Sequence, residues 1–237
     1  QLAARAADLR AAGVRRINIS LDSLRPERFR ALTRNGDLGQ VLAGIDAALA
    51  AGFERIKLNT LILGERNGDE ILDLVRFALA KGINLSFIEE MPVGEIDRRA
   101  TDFYSSERIR ALISPHFPLV PTTETPGGPA RYYRIPGSPT RIGFISPHSH
   151  NFCADCNRVR VTAEGQLLLC LGQEDALDLR ALLRRHPGAD ELLRAAIIAA
   201  MRMKPAGHRF EIGVPAVGGR RVDLTGGGGG RSPPPGH

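Results

Sequence analysis

The chain has 237 residues, of which 43% are apolar and 24% charged, a composition that is ordinary for a globular protein of one large or two modest domains. The formal net charge is +6, and nearly all of the basic residues are arginines. An excess of arginine fits an anionic ligand or nucleic acid, but it also follows from a biased genome composition. No apolar run reaches the length of about eighteen residues that a membrane span needs, and no secretion signal is recognisable, so we expect a cytoplasmic protein. Because Gln1 falls within a predicted helix, we expect the chain to be a fragment that begins inside a longer protein.

Helices and strands alternate along the first part of the chain. A helix over residues 2–12 precedes a strand in VRRINISLD, and a short helix beginning at Pro26 and a longer one in LGQVLAGIDAALA lead to a second strand, ERIKLNTLIL. The helix DEILDLVRFALAKG and a third strand, INLSFIEEM, follow. This order predicts an α/β fold with right-handed crossovers and a parallel sheet. About three strand–helix units are too few to close a barrel, so we expect further strands to precede Gln1.

Composition divides the chain into four segments. Residues 1–95 form the alternating α/β part, and residues 96–145 are rich in Pro and Gly, which predicts a connector with one helix near SSERIRALIS and one short strand. Residues 146–217 contain a hairpin turning at AEGQ and two helices, around ALDLRALLRR and ADELLRAAIIAAMRM, so we expect a smaller α+β domain there. Residues 218–237 are rich in Gly and Pro and are expected to be disordered.

All three cysteines of the chain lie close together in sequence. Cys153, Cys156 and Cys170 form a C-x2-C-x13-C pattern, whose first pair has the spacing with which two thiolates hold one metal centre. An iron–sulfur cluster held by three cysteines would leave one iron open, whereas a zinc site would need His148 or His150 as a fourth ligand. A disulfide is disfavoured by the odd number of cysteines. The spacing alone leaves cluster and zinc open.

Two arginines follow the first cysteine pair on the first strand of the predicted hairpin. Arg158 and Arg160 are separated by one residue, so their side chains leave the same face of the strand while Val159 points to the other. Guanidinium groups beside an open metal centre form a pocket for an anion. An exposed hairpin face is the alternative interpretation.

Five segments of the chain resemble one enzyme family. FCADCNRVRVTAEGQLLLCL is similar to the C-terminal cluster signature of the GTP 3',8-cyclase family of radical SAM enzymes, which act in molybdenum cofactor biosynthesis. The resemblance extends in order through RINISLDSL, GFERIKLNTLIL, FIEEMPVGE and KPAGHRF, and it covers residues 1–219. Each short segment is a weak signal, but the five together are specific.

The resemblance implies a fold, a reaction and cofactors. It implies an incomplete TIM-like radical SAM barrel followed by an iron–sulfur domain, with one [4Fe-4S] cluster at each end of the barrel. The N-terminal cluster would cleave S-adenosylmethionine to a radical that abstracts hydrogen from C3' of GTP, which then bonds to C8 of the guanine. The product would be (8S)-3',8-cyclo-7,8-dihydroguanosine 5'-triphosphate, formed in the first step of molybdopterin biosynthesis.

The resemblance also implies roles for particular residues, and it assigns no catalytic side chain. The second [4Fe-4S] cluster, which would bind the guanine through its open iron, would be held by Cys153, Cys156 and Cys170. The expected contacts to GTP are Lys57, Arg158, Val159 and Arg160. The expected contacts to S-adenosylmethionine are Ser20 and Met91.

The residues themselves support these roles unevenly. Lys57 and Asn59 share a face of the second strand, where a lysine is costly unless an anion meets it, although a strand-end lysine can also reach solvent. Ser20 lies on the polar face of its strand, which suits a small polar cofactor or a cross-strand hydrogen bond. Met91 is of a type more often found in cores, so we expect its backbone to bind. Of Glu89 and Glu90 we expect one to face solvent, and we assign neither a role.

The chain departs from the family pattern in three places. No cysteine precedes Cys153, so the triplet that holds the radical-generating cluster is absent, and we expect the chain alone not to start the reaction. Ser86 stands where the family usually has Arg, which puts one active-site contact in doubt. Gly218 and Gly219 correspond to the end of the family's Gly-Gly tail but are followed by further residues.

Two other functions fit parts of the pattern. A zinc-stabilised basic module could use the same arginines to bind nucleic acid, but an aromatic content of 5% and the lack of a basic stripe along one helix argue against it. Another radical SAM enzyme with an auxiliary cluster is disfavoured by the N-R-x-R stretch after the cysteine pair. We therefore expect GTP as the partner, with no membrane and no nucleic acid, and the half-barrel could drive homodimer formation.

Overall fold

The computed structural model describes residues 1–91, 103–123, 128–150, 152–153, 156–170 and 176–205. Backbone contacts divide the chain into two compact units, the first built mainly from residues up to Phe152 and the second mainly from Cys153 onward. No helix in these described ranges is long and apolar enough to cross a membrane.

The first unit is an α/β structure whose elements follow the predicted order. Its helices are α1 (Leu2–Ala11), α2 (Pro26–Thr33), α3 (Leu38–Ala50), α4 (Ile71–Lys81) and α5 (Ser106–Ile113). Its strands are β1 (Arg16–Ser20), β2 (Arg55–Ile62), β3 (Asn84–Glu89), β4 (Val120–Pro121), β5 (Arg131–Arg134) and β6 (Arg141–Ile145). Local signals set the helix ends: Asp37 and Ser105 accept hydrogen bonds from the first turns of α3 and α5, and Gly82 ends α4 at a φ of +66°.

The six strands form one mixed sheet in the order β1-β2-β3-β6-β5-β4. The first four strands run parallel to one another, β5 is antiparallel to β6, and β4 is antiparallel to β5. The mixed α/β class is confirmed. The prediction of a single short strand in residues 96–145 is wrong, because this segment supplies β4, β5 and β6. Of these, β6 pairs with β3 inside the sheet. Its Pro and Gly residues lie partly in turns between strands, as at Gly137, whose φ is +80°.

The two faces of the sheet differ in polarity. On β2, burial alternates along the strand, with Ile56, Leu58, Thr60 and Ile62 buried and the residues between them partly exposed. Leu85 and Phe87 of β3 join the same core, which the helices cover. The opposite face carries the polar side chains, and we call it the polar face of the sheet.

The second unit is smaller and contains both strands and helices. Its strands β7 (Arg160–Val161), β8 (Gln166–Leu168) and β9 (Ala176–Asp178) form an antiparallel sheet, followed by α6 (Leu179–Arg185) and α7 (Asp190–Arg202). The predicted hairpin turn at AEGQ is present, with Gly165 at a φ of +81°. The predicted helix ALDLRALLRR starts later than expected, and its first three residues, ALD, form strand β9. The Asp178 side chain accepts from the Ala181 N–H, and this cap sets the start of α6 after the strand. The predicted tail over residues 218–237 lies outside the described residues.

Candidate functional site

The register of the parallel strands brings predicted site residues together on the polar face of the first unit. Ser20 of β1 lies opposite Asn59 of β2, which lies opposite Ser86 of β3. Lys57 is two residues before Asn59 on the same face and is half-buried. Met91 follows β3 by two residues and is also half-buried. The polar face therefore collects Ser20 and Lys57, two of the three site residues predicted for this unit.

Two buried polar atoms in the centre of this face lack hydrogen-bond partners within the part of the chain that is described. They are Asn59 Oδ1 and Ser86 Oγ, on neighbouring strands at paired positions. A buried polar atom left unpaired costs about 1–3 kcal/mol, so native proteins normally supply a protein group, water or ligand there. The polar face thus has the hydrogen-bonding capacity that a polar ligand requires. Sequence patterning placed Asn59 on this face but gave no signal that its amide oxygen would be buried.

Gly143 of β6 lies beside Ser86 and keeps space for its side chain. A β-carbon at this glycine would lie 2.6 Å from Ser86 Oγ and 2.9 Å from Tyr132 Cε1, both too short. We expect Gly143→Ala to lower the free energy of unfolding by about 1–3 kcal/mol through overpacking, as measured by urea denaturation. Adding Ser86→Ala removes the crowding hydroxyl and should recover part of the loss. A double variant no more stable than Gly143→Ala would contradict this packing.

Two acidic groups at the carboxyl ends of the strands differ in environment. Asp22, which follows β1, accepts from the Leu61 N–H at 2.8 Å, and burial raises the pKa of its carboxyl. Glu90 is exposed, so it is the member of the Glu89–Glu90 pair that faces solvent, as expected. Asn67 holds the loop after β2 by donating from its amide to the carbonyls of Asp22 and Leu61.

Glu89 is completely buried at the end of β3 and binds two other segments of the first unit, the start of α5 and the 146–149 loop. Its carboxylate accepts from the Ser106 N–H at 2.7 Å at the start of α5, and from the N–H groups of His148 and Ser149 at 3.1 Å each. The Ser149 hydroxyl donates to it as well. Burial by itself raises the pKa of this carboxyl, but hydrogen bonds from Ser149 and Ser106 outweigh it, and the net pKa is lowered. Glu89 thus holds the 146–149 loop, a role that sequence analysis missed.

The three cysteines belong to the second unit and are half-buried. The Cys156 N–H donates to the Cys153 carbonyl at 3.1 Å, and Cys170 follows β8 by two residues. None of the three is in a disulfide bond. Their thiols are soft donors that suit an iron–sulfur cluster or zinc. Within the described ranges, however, no three His, Cys, Asp or Glu side chains are gathered to hold a metal ion.

The arginine stretch is exposed along its whole length. Arg160 begins β7 and pairs with Leu168 of β8, whereas Arg158 and Val159 precede the ladder. All three residues are exposed, which leaves both guanidinium groups accessible to a ligand. The Arg158 carbonyl is fixed by a hydrogen bond at 2.8 Å from the Lys204 ammonium. Arg158 precedes the Arg160–Leu168 pair by two residues on one arm of the hairpin, and Cys170 follows it by two residues on the other arm.

Comparison with known families identifies the class of protein. Residues 2–78 match the Radical SAM superfamily, and residues 83–210 match the Molybdenum Cofactor Synthesis C family. The second match begins at β3, so it includes the carboxyl-terminal part of the first unit as well as the cysteine hairpin. These matches define a radical SAM protein with a molybdenum cofactor synthesis region.

Individual relatives make the family specific. The chain is 57% identical to a GTP 3',8-cyclase of Ectopseudomonas mendocina and 58% identical to GTP 3',8-cyclase 2 of Pseudomonas aeruginosa, each over 96% of this chain and 69% of the relative. It is 56% identical to a GTP 3',8-cyclase of Pseudomonas syringae over the same shares. The chain belongs to the GTP 3',8-cyclase family.

Proposed function

We propose that this chain acts in the conversion of GTP to (8S)-3',8-cyclo-7,8-dihydroguanosine 5'-triphosphate, the first step of molybdopterin biosynthesis. The observation that carries the proposal is an identity of 56–58% with proteins named GTP 3',8-cyclase over 96% of the chain. The radical SAM superfamily implies a [4Fe-4S] cluster and S-adenosylmethionine, which when bound would supply the electron and the radical precursor for hydrogen abstraction. The cysteine triplet expected to hold this cluster is absent from residues 1–237, so the residues present here would serve ligand binding. The α/β sheet of the first unit is then part of an incomplete barrel.

In the second unit, we propose Cys153, Cys156 and Cys170 as the ligands of a [4Fe-4S] cluster. Three thiols outside any disulfide fit this donor set, and a three-cysteine site leaves one iron for the guanine base. Arg158 and Arg160 then bind the triphosphate, because guanidinium forks pair with phosphate oxygens in two-pronged geometry. Val159 contributes the backbone between them.

In the first unit, we propose that the polar face contacts small polar ligands. Lys57 is a cation on this face with no ion pair to a described residue, which suits a phosphate contact. Ser20 and Met91 are proposed as contacts to S-adenosylmethionine. The unpaired Asn59 and Ser86 oxygens support a polar ligand here. Ser86 supplies a neutral hydroxyl where the family usually has a charged side chain.

The arginine pair gives a direct test by GTP binding. We expect Arg158→Ala and Arg160→Ala each to weaken GTP binding by about 1.5–3 kcal/mol, which is the range for hydrogen bonds to charged groups and amounts to about tenfold or more in Kd. The measurement is equilibrium binding of GTP to the anaerobically reconstituted protein. Arg184→Ala removes an exposed arginine from α6 and serves as the matched control.

Two results would count against the arginine assignment. Unchanged GTP affinity in both variants would remove the two residues from the nucleotide site. An equal loss in the Arg184→Ala control would show that overall charge, rather than these two side chains, attracts GTP.

A cytoplasmic location and homodimer formation stay predictions from the sequence.

A further inference from the structure

Lys204 connects the two arms of the cysteine hairpin through their backbones. Its ammonium donates to the Arg158 carbonyl at 2.8 Å and to the Leu169 carbonyl at 2.6 Å. These acceptors are 46 and 35 residues away in sequence, and they lie on the two arms of one hairpin. Nothing in the pattern KPAGHRF indicates that the lysine would be used in this way.

The two carbonyls flank the proposed sulfur ligands. Leu169 directly precedes Cys170, and Arg158 comes two residues after Cys156. The β7–β8 ladder itself contains only the pairs Arg160 with Leu168 and Val161 with Leu167, so it ends on the turn side of the cysteines. Lys204 therefore joins the two arms just beyond the last ladder pair, at the end of the hairpin where the cysteines lie.

The position of Lys204 is itself fixed by the core of the second unit. Ala200 of α7 is completely buried against a cluster that includes Leu167 and Leu169 of the hairpin. The Lys204 N–H donates to the Met201 carbonyl at 3.2 Å, which continues the end of α7 to the lysine. The ammonium is thus held beside the hairpin by helix packing.

The chemistry of lysine suits this position. An ammonium group offers three donors and no acceptor, so it can bond two carbonyls together and keep one N–H to spare. Bonds from a charged donor are roughly twice as strong as neutral ones. A methionine of similar length would leave both carbonyls without this partner.

We propose that Lys204 is a positioning residue for the three-cysteine site: it sets the spacing between the arm that carries Cys156 and Arg158 and the arm that carries Cys170. The inference rests on the proposed cluster ligands. Groups that orient metal ligands typically change metal affinity by 10–100-fold when removed. In this role Lys204 acts through the backbone carbonyls of Arg158 and Leu169.

The test compares Lys204→Met with Lys204→Arg in the full chain after anaerobic reconstitution with iron and sulfide. The readouts are the iron content, the rate of iron loss to a chelator, and the melting temperature. We expect Lys204→Met to lose iron about tenfold faster than the parent protein, and Lys204→Arg, which keeps charged donors, to restore most of the retention. Lys81→Met, which removes a half-buried lysine paired with Asp46 in the first unit, is the matched control and should leave iron loss unchanged.

The outcomes separate the possible causes. A Lys204→Met protein that melts lower but keeps the parent's iron content and release rate would overturn the proposal, since the lysine would then serve stability alone. If Lys204→Met does not fold, Lys204→Gln is measured in the same way. Its shorter, uncharged side chain forms weaker hydrogen bonds than the ammonium, so we expect iron release faster than in the parent protein, and parent-like release would overturn the proposal. Iron that persists after substitution of the cysteines themselves would contradict the ligand assignment, a failure of the proposed function rather than of Lys204.

Discussion

Replacing any one of Cys153, Cys156 and Cys170 with alanine is expected to abolish iron binding at the proposed cluster. The chain contains only these three cysteines, so no other thiol can take the place of the lost ligand. Two remaining thiolates do not hold a [4Fe-4S] cluster against a chelator, because each cysteine secures a different iron. The measurement is iron and zinc content together with the visible spectrum after anaerobic reconstitution.

The cysteine prediction has a control in the same unit. Met201→Leu removes an exposed sulfur of α7 that cannot act as a thiolate, and it should leave the iron content unchanged. Full iron retention in any one of the three cysteine variants would mean that this residue is not a ligand. A parent protein saturated with zinc and indifferent to GTP would instead support the zinc alternative, in which a histidine completes the site.

Replacing Glu89 with alanine is expected to lower the free energy of unfolding by about 3 kcal/mol or more, because each buried donor left without an acceptor costs about 1–3 kcal/mol. The side chain is fully buried, and its loss leaves the N–H groups of Ser106, His148 and Ser149 without their acceptor. The change is measured by urea denaturation at neutral pH. Glu90→Ala, at the exposed neighbouring position, should have little effect.

Glu89 also predicts how stability depends on pH. Because the pKa of its carboxyl is lower in the folded than in the unfolded state, the ionised form stabilises the fold. This contribution is fully present above the ordinary pKa of 4.5 and is lost as the pH falls through the lowered value. Glu89→Gln, which cannot ionise, should show a flatter loss of stability in acid. A pH profile for Glu89→Gln identical to that of the parent protein would contradict this role.

Local patterns in the sequence were sufficient for the elements of the first unit and for the candidate metal ligands. Strands β1, β2 and β3 lie within the predicted segments, because the alternation of apolar and polar residues is a property of each strand by itself. The same alternation placed Ser20, Lys57 and Asn59 on the polar side of their strands. Cysteine spacing and the neighbouring arginines are likewise visible without any tertiary contact, and they carried the family resemblance.

What the sequence by itself determined is therefore local: periodicity, turn residues and the spacing of chemical groups. The tertiary structure alone decided that β6 pairs with β3, since the Arg141 N–H donates to the Asn84 side chain across 57 residues of chain. It also decided that Glu89 is the buried carboxylate of its pair and that Lys204 joins the two arms of the cysteine hairpin. These contacts form between segments that are distant in sequence. Burial of apolar side chains in the packed core offsets the loss of chain entropy when the segments come together, and no local pattern reports that gain.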